Sequence, residues 1–333
     1  MTDTHSKRPT LKDLAKAASV SLASASYAIN GTGSLGEQTR QHVLRVAEDI
    51  GYRQNLNARA MRTGRTRAIG LVLPDLSNPF FPSLAQSVIQ TARRWGFSVY
   101  VTDTEGSEEL ERDTLKELVG RNVDGLIWFP IRDVDTAGPL IGNVPTIVLD
   151  RSLPGFECIQ ADYALGGQRA VEHLLAAGHR RIGIVSGPTD IASMRQRCEA
   201  AAAQIGRHGE LAFQVSNAFS TDLEPAVAAA IDNRAATAVF VGADVIAMGI
   251  LGHAQTHGLK VPDDLSIVGF DDIPWANFSS PPLTTIEMPL EQMASEAVEA
   301  LAQRIDGNPR ASRRIILDTP LISRRSVARP AAA

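Results

Sequence analysis

The chain has 333 residues, 44% of them hydrophobic, which exceeds one typical domain and suits a small domain joined to a two-lobed larger one whose cores that composition can fill. Two cysteines, Cys158 and Cys198, cannot build the disulfide framework of a secreted scaffold, and isolated thiols in apolar contexts read as small buried hydrophobes rather than redox sensors. The net charge of −4 hides a division: through Arg67 eleven bases face five acids, whereas 22 bases face 32 acids afterwards, the footprint expected when only the head of a chain approaches phosphates. Met1 to Pro9 is polar and expected to be disordered. Thr10 followed by Asp13 makes an N-cap with an acidic third position, and Leu11, Leu14, Ala15 and Ala18 then share one helical face. A break at Ala18 to Val20, a second cap at Ser21 and a second helix to about Ile29, with Asn30 and Gly31 as its left-handed exit, complete a helix-turn-helix pattern. Gly36 to Gly51 reads as a third helix with Val43, Leu44, Ala47 and Ile50 on its apolar face.

From Ala68 the texture changes to short β-branched runs alternating with longer helical patterns, the signature of a doubly wound parallel sheet. The expected strands are Ala68 to Leu73, Ser98 to Thr102, Gly125 to Phe129, Thr146 to Asp150, Arg181 to Gly187, Phe213 to Val215, AVFVG and LSIVGF. Helices are expected over Pro79 to Trp95, Leu110 to Val119, Ala164 to Ala177, Ser193 to Gly206, Glu224 to Asn233, Val245 to Gly258 and Leu290 to Asp306. No apolar N-terminal run reads as a signal peptide or membrane span, so the expected compartment is the cytoplasm, nucleoid-associated when bound to an operator. No Walker loop, zinc spacing, nucleophile elbow or GxGxxG after the first strand is present, and the expectation is a protein that is not an enzyme and takes no cofactor or metal.

The run KDLAKAASVSLASASYAINGTGSLGEQTRQHVLRVAEDIGYRQNLNARAMRTGRT strongly resembles the DNA-binding headpiece and hinge of the lactose-repressor (LacI/GalR) family of bacterial transcription regulators. IGLVLPDLSNPFF, GHRRIGIVSGP, VFVGADVIAMG, VPDDLSIVGFDDIP, PPLTTI and LISRRS resemble the same family in the same order, so the likeness covers nearly the whole chain. It implies an α-helical helix-turn-helix headpiece over 1–54, a hinge helix and linker over 55–67, and an α/β two-lobed periplasmic-binding-protein-like domain of parallel sheets over 68–333. In that domain the first lobe takes about 68–160 and 287–318, and the second about 161–286 and 319–333.

By family position, Leu22, Ala23 and Tyr27 are the base-edge readers of a double-stranded operator. Leu22 and Ala23 offer only apolar contact, where polar residues or arginine are commoner, so the operator is expected to differ from better known ones. Ser21, Ser24, Ser26, Asn30, Thr39 and Arg40 are phosphate partners, with local capping a nearly equal reading for Ser24 and Ser26, and Thr10 completes the DNA-binding set of the headpiece. In the hinge, Asn55, Ala58, Arg59 and Met61 match the segment that turns helical on DNA and wedges the minor groove; Met61 replaces the usual leucine and Gln54 a common proline. The resemblance further implies a repressor that binds a pseudopalindromic operator as a homodimer and is released by a small-molecule effector, a sugar first; the alternatives are a regulator whose nucleobase or nucleoside ligand acts as co-repressor, and a stand-alone small-molecule-binding protein. Its pocket positions are Asn78, Phe80, Phe81, Asp150, Arg151, Arg197, Phe219, Asp244 and Asp271. Trp128 and Trp275 are weighed as additional lining against core, and Asp272 as a loop brace.

Overall fold

The computed structural model describes residues 9–53, 64–135, 137–308 and 312–330. The chain separates into two compact units, Met1–Thr66 and Arg67–Ala333. Asn55, Ala58, Arg59 and Met61 lie outside the described residues.

In the first unit, α1 (Leu11–Ala17) begins at a capping box: the Thr10 N–H donates to Asp13 Oδ2 at 2.8 Å and the Asp13 N–H to Thr10 Oγ1 at 3.3 Å. The turn passes through Ser19 in the left-handed region, φ 54°. Next, α2 (Leu22–Asn30) is capped by Ser21 and ends on Gly31 at φ 66°, a conformation glycine adopts without penalty. With α3 (Glu37–Asp49) these helices close over Leu14, Ala15, Ala18, Ala25, Ala28, Val43 and Ala47. Leu44 departs from expectation: it is exposed, and Val46 packs against the core instead. Positions 43, 46, 47 and 50 share a face at helical spacing, and 44 lies about 100° away from 43.

The second unit holds two six-stranded sheets. The first takes β1 (Ala68–Leu73), β2 (Ser98–Asp103), β3 (Gly125–Trp128), β4 (Thr146–Leu149), β5 (Glu157–Ala161) and β11 (Arg314–Leu317), all paired in parallel in the order β11-β5-β4-β3-β1-β2. The second takes β6 (Arg181–Ser186), β7 (Glu210–Ser216), β8 (Ala238–Val241), β9 (Ser266–Asp271), β10 (Thr284–Glu287) and β12 (Leu321–Ile322), in the order β12-β10-β9-β8-β6-β7 with only β12 antiparallel. The chain therefore changes sheet between β5 and β6, again before β11, and once more before β12.

Connecting helices are α4 (Phe80–Arg94), α5 (Glu108–Gly120), α6 (Gly138–Ile141), α7 (Tyr163–Ala176), α8 (Ala192–His208), α9 (Pro225–Asp232), α10 (Asp244–Thr256), α11 (Pro274–Phe278) and α12 (Leu290–Ile305). Central strands such as β1, β3 and β4 are buried along their whole length, as parallel strands covered on both faces must be. Returning to the first sheet, α12 packs on α4, β3 and β4. Two strands without a plain apolar run, β5 and β11, join that sheet's edge. The helices α7 and α8 cross closely, because a Cβ on Gly167 would lie 2.0 Å from the carbonyl oxygen of Arg197. Among the described residues no helix is long and apolar enough to cross a membrane.

Candidate nucleic-acid interface and ligand cleft

The buried face of α2 consists of Ala25 and Ala28, which leaves the residues at its N-terminal end outward. Leu22 and Tyr27 are among the exposed large hydrophobics of the whole chain, and Ser21 and Ala23 are exposed beside them. Leu22, Ala23 and Tyr27 therefore offer apolar surface at this end of α2 to whatever approaches it. The flanking polar side chains are held by local bonds. Ser24 donates its N–H to Ser21 Oγ at 3.0 Å, the two hydroxyls meet at 2.9 Å, and Asn30 Nδ2 donates to the Ser26 carbonyl at 2.7 Å. Thr39 and Arg40 are half-buried on the first turn of α3, with Arg40 Nε 4.0 Å from Glu37.

Within the second unit, a cavity of about 320 Å³ opens where strand ends of both sheets converge, the place open α/β sheets put ligands. Asn78, Phe80, Phe81, Asp150, Arg151, Arg197, Phe219 and Asp271 all line it, although they span nearly two hundred positions in sequence. One wall is aromatic: Phe81 packs edge-on against Phe80 and Phe129, with ring centroids 5.0 and 5.1 Å apart. Buried pairs of opposite charge line the cavity as well, and Arg151 lies over the Phe129 ring at 5.2 Å. Arg197 Nη1 donates to the Gly242 carbonyl at 2.6 Å and to Asp271 Oδ1 at 3.2 Å, with its guanidinium carbon 3.9 Å from the Phe270 ring centre. Arg151 pairs with Asp150, and Ser193 Oγ donates to Asp150 Oδ2 at 3.2 Å.

Both aspartates adopt backbone angles unusual for a side-chain-bearing residue, φ 69° at Asp150 and φ 114° at Asp271. Such conformations cost on the order of 1–3 kcal/mol and persist where surrounding contacts over-determine them. Burial pushes the Asp150 carboxyl up to about 7 against the pull of Arg197 and Ser193, and the Asp271 carboxyl up to about 6 against Arg197. Arg151 is drawn down to about 10 by burial. Among the described residues, Arg151 Nε, Arg197 Nε and the Tyr163 hydroxyl, all on residues that line the cavity, are buried without a hydrogen-bond partner.

Asp244 corrects the expected set. Its carboxylate is fully buried away from the cavity, accepting from Thr285 Oγ1 at 2.7 Å and from the Ile273 N–H at 3.1 Å. Burial and the neighbouring Asp271 charge raise its pKa well above the ordinary carboxylate value. It therefore braces the loop after β9. Trp128 is core, donating its indole N–H to Glu111 Oε1 at 3.0 Å, and Trp275 is half-exposed outside the lining. Asp272 pairs with Arg324 at 2.7 Å. Unforeseen lining residues include Phe129, Tyr163, Ser193 and Met194. Phe129 is the last residue of an expected strand, so the rule that ligands gather at the carboxyl ends of strands could have found it, and Ser193 opens the expected helix that carries Arg197.

Comparison with known proteins bears on the same residues. Residues 10–55 match the profile described as bacterial regulatory proteins, lacI family, and 171–327 match the periplasmic binding protein-like domain. The HTH-type transcriptional regulator DegA of Bacillus subtilis is 33% identical, with 96% of this chain and 98% of that protein covered. The ribose operon repressor of Halalkalibacterium halodurans is 31% identical over 95% of this chain and 96% of that protein. Among solved structures, the Lac repressor dimer bound to operator and the anti-inducer ONPF superposes with a TM-score of 0.85 at 26% identity, covering 97% of this chain and 100% of that one. With a headpiece, a two-lobed receptor and relatives alike along its length, this chain belongs to the LacI family of bacterial regulatory proteins and is a DNA-binding transcriptional regulator.

Proposed function

We propose that this regulator is a cytoplasmic repressor that binds a pseudopalindromic operator as a homodimer and is released from it by a neutral sugar held in the cleft. The parts are a headpiece over 1–54, a hinge over 55–67 and a receptor over 68–333, a division supported by the break between the two compact units near Thr66. Leu22, Ala23 and Tyr27 meet base edges in the major groove, where Tyr27 supplies one hydrogen bond and the apolar pair favours a thymine methyl. Thr10, Ser21, Ser24, Ser26, Asn30, Thr39 and Arg40 address the backbone. Asn55, Ala58, Arg59 and Met61 form the hinge contact with the minor groove.

The observation that carries the sugar reading is the mixed lining of the cleft: edge-packed phenylalanines side by side with buried Arg–Asp pairs, the Arg151 guanidinium lying 5.2 Å over the Phe129 ring. A sugar has an apolar ring face and a rim of hydroxyls, each able to accept from arginine and donate to aspartate at once. Asn78, Phe80, Phe81 and Phe219 take the ring, and Asp150, Arg151, Arg197 and Asp271 the hydroxyls. The ligand acts only through the difference between its affinities for the two lobe arrangements, typically about 1–3 kcal/mol.

The full chain, offered a random duplex library, is expected to select an inverted repeat, and a sugar panel is expected to contain a member that weakens that complex. A monomeric chain with no salt-sensitive preference for any inverted repeat would refute the regulator mechanism. A complex strengthened by a nucleobase and untouched by every sugar would replace the effector class.

A further inference from the structure

On the outer surface of the second lobe, away from the cleft, His253 and His257 stand one turn apart on α10 and face Asp232, the last residue of α9. The imidazoles stack with centroids 4.0 Å apart, and His253 Nε2 lies 2.8 Å from Asp232 Oδ1. One donor atom from each of the three side chains falls within 4.8 Å of the others. We propose that these residues form a binding site for a divalent first-row transition ion such as zinc or nickel, joining α9 to α10.

Two features support this beyond proximity. First, His257 Nδ1 lies 2.9 Å from the His253 carbonyl oxygen. The Thr256 hydroxyl lies 3.1 Å from the same nitrogen, so these contacts fix the position of the ring; in the tautomer that donates from Nδ1 to the carbonyl, Nε2 keeps its lone pair for a ligand bond, the backbone orientation common among metal-bound histidines. Second, His253 and His257 lie in the last turn and at the C-cap of α10, and Asp232 in the last turn of α9, so the negative ends of two helix dipoles meet there and favour a cation. Two imidazole nitrogens and one carboxylate oxygen suit zinc or nickel better than magnesium or calcium.

A tetrahedral ion with bonds of about 2.0–2.1 Å spaces its ligands by roughly 3.4 Å. Because Asp232 and His257 are exposed, side-chain torsions alone can close the remaining gap. The ion takes the place of the proton between His253 Nε2 and Asp232, that proton moving to His253 Nδ1, and water completes the coordination.

The test is calorimetric titration of zinc chloride, and separately nickel chloride, into the untagged full chain, with circular dichroism verifying that each variant is folded. One ion per chain is expected for one of the two salts, with affinity at least about tenfold weaker in His257→Ala and in Asp232→Asn. The melting temperature of the unsubstituted chain should rise with the ion and fall back on adding a chelator. Absence of saturable binding by either salt, or binding unchanged in both variants, would overturn the proposal.

Discussion

Asp133, on the segment after β3 of the first lobe, accepts a hydrogen bond at 2.7 Å from the backbone N–H of Ala192, the first residue of α8 in the second lobe. The N-cap of α8 is Ile191, whose side chain cannot cap, so a carboxylate from the other lobe does that work. Asp133 also lies 3.5 Å from Arg151 Nε and 3.8 Å from Arg195 Nη2, and next to it Arg132 pairs with both Glu108 and Asp190. Arg132, Arg151 and Asp190 of this polar seam also line the cavity, so the seam runs along the cleft.

Replacing Asp133 by alanine should shift the receptor toward an open arrangement. A lost cap and charge pair on partly exposed groups amounts to about 1–2 kcal/mol. Small-angle scattering of the ligand-free chain should show a larger radius of gyration than for the unsubstituted protein; an unchanged radius would mean that the seam does not hold the lobes.

Gly167→Ala should destabilise the receptor and displace Arg197 together. The added methyl meets the Arg197 carbonyl oxygen at 2.0 Å, a backbone atom that moves only with α8. Overpacking of this kind costs roughly 1–3 kcal/mol. Urea unfolding should report that loss, and effector titration should report weakened binding beyond what Ala164→Gly produces.

Stability should fall as pH rises from about 4 to about 7 through Asp150 and Asp271. Both carboxyls are raised in the folded state, to about 7 and about 6. The folded chain therefore holds protons that the unfolded chain has released over that window, and the slope of stability against pH from these groups is negative there and flat above it. Asp150→Asn should flatten the slope, measured by denaturant unfolding at several pH values. An unaltered slope would mean that Asp150 is ionised throughout.

Tyr27→Phe should relax operator specificity while leaving non-specific binding intact, costing about 0.5–1.5 kcal/mol per half-site for the single hydrogen bond lost. Arg40→Ala should instead weaken all duplexes alike and, because a dimer loses two such contacts, reduce the salt slope by about two. Gel-shift titrations at several salt concentrations separate the two outcomes.

The two thiols should be inert in the folded protein. Burial pushes Cys158 up to about 12 and Cys198 up to about 11, leaving almost no thiolate near neutral pH. Ellman's reagent should label them only after denaturant is added; rapid labelling of the native chain would contradict the burial.

Short-range physics was readable from the letters alone. The Thr10–Asp13 box, the Ser21 cap, the Gly31 exit and the runs that became β1, β3, β4, β6 and β8 each depend on neighbours a few positions away. The positions of eight cleft residues came from family likeness, because nothing in local periodicity joins Phe80 to Asp271. What the sequence hid, it hid through distant partners. The strand β5, Glu157–Ala161, carries two polar residues in five and is not among the expected strands; Arg304 supplies the counter-charge for Glu157 at 3.0 Å and Arg314 the donor for Gln160 at 3.0 Å. Asp244 looked like a ligand contact until the fold brought Thr285 and the Ile273 N–H to its carboxylate. Burying a polar group is affordable only when its partner is in place, and those partners lie some 30 to 150 residues away, so tertiary structure alone decided which charged residues face the cleft and which hold the sheets together.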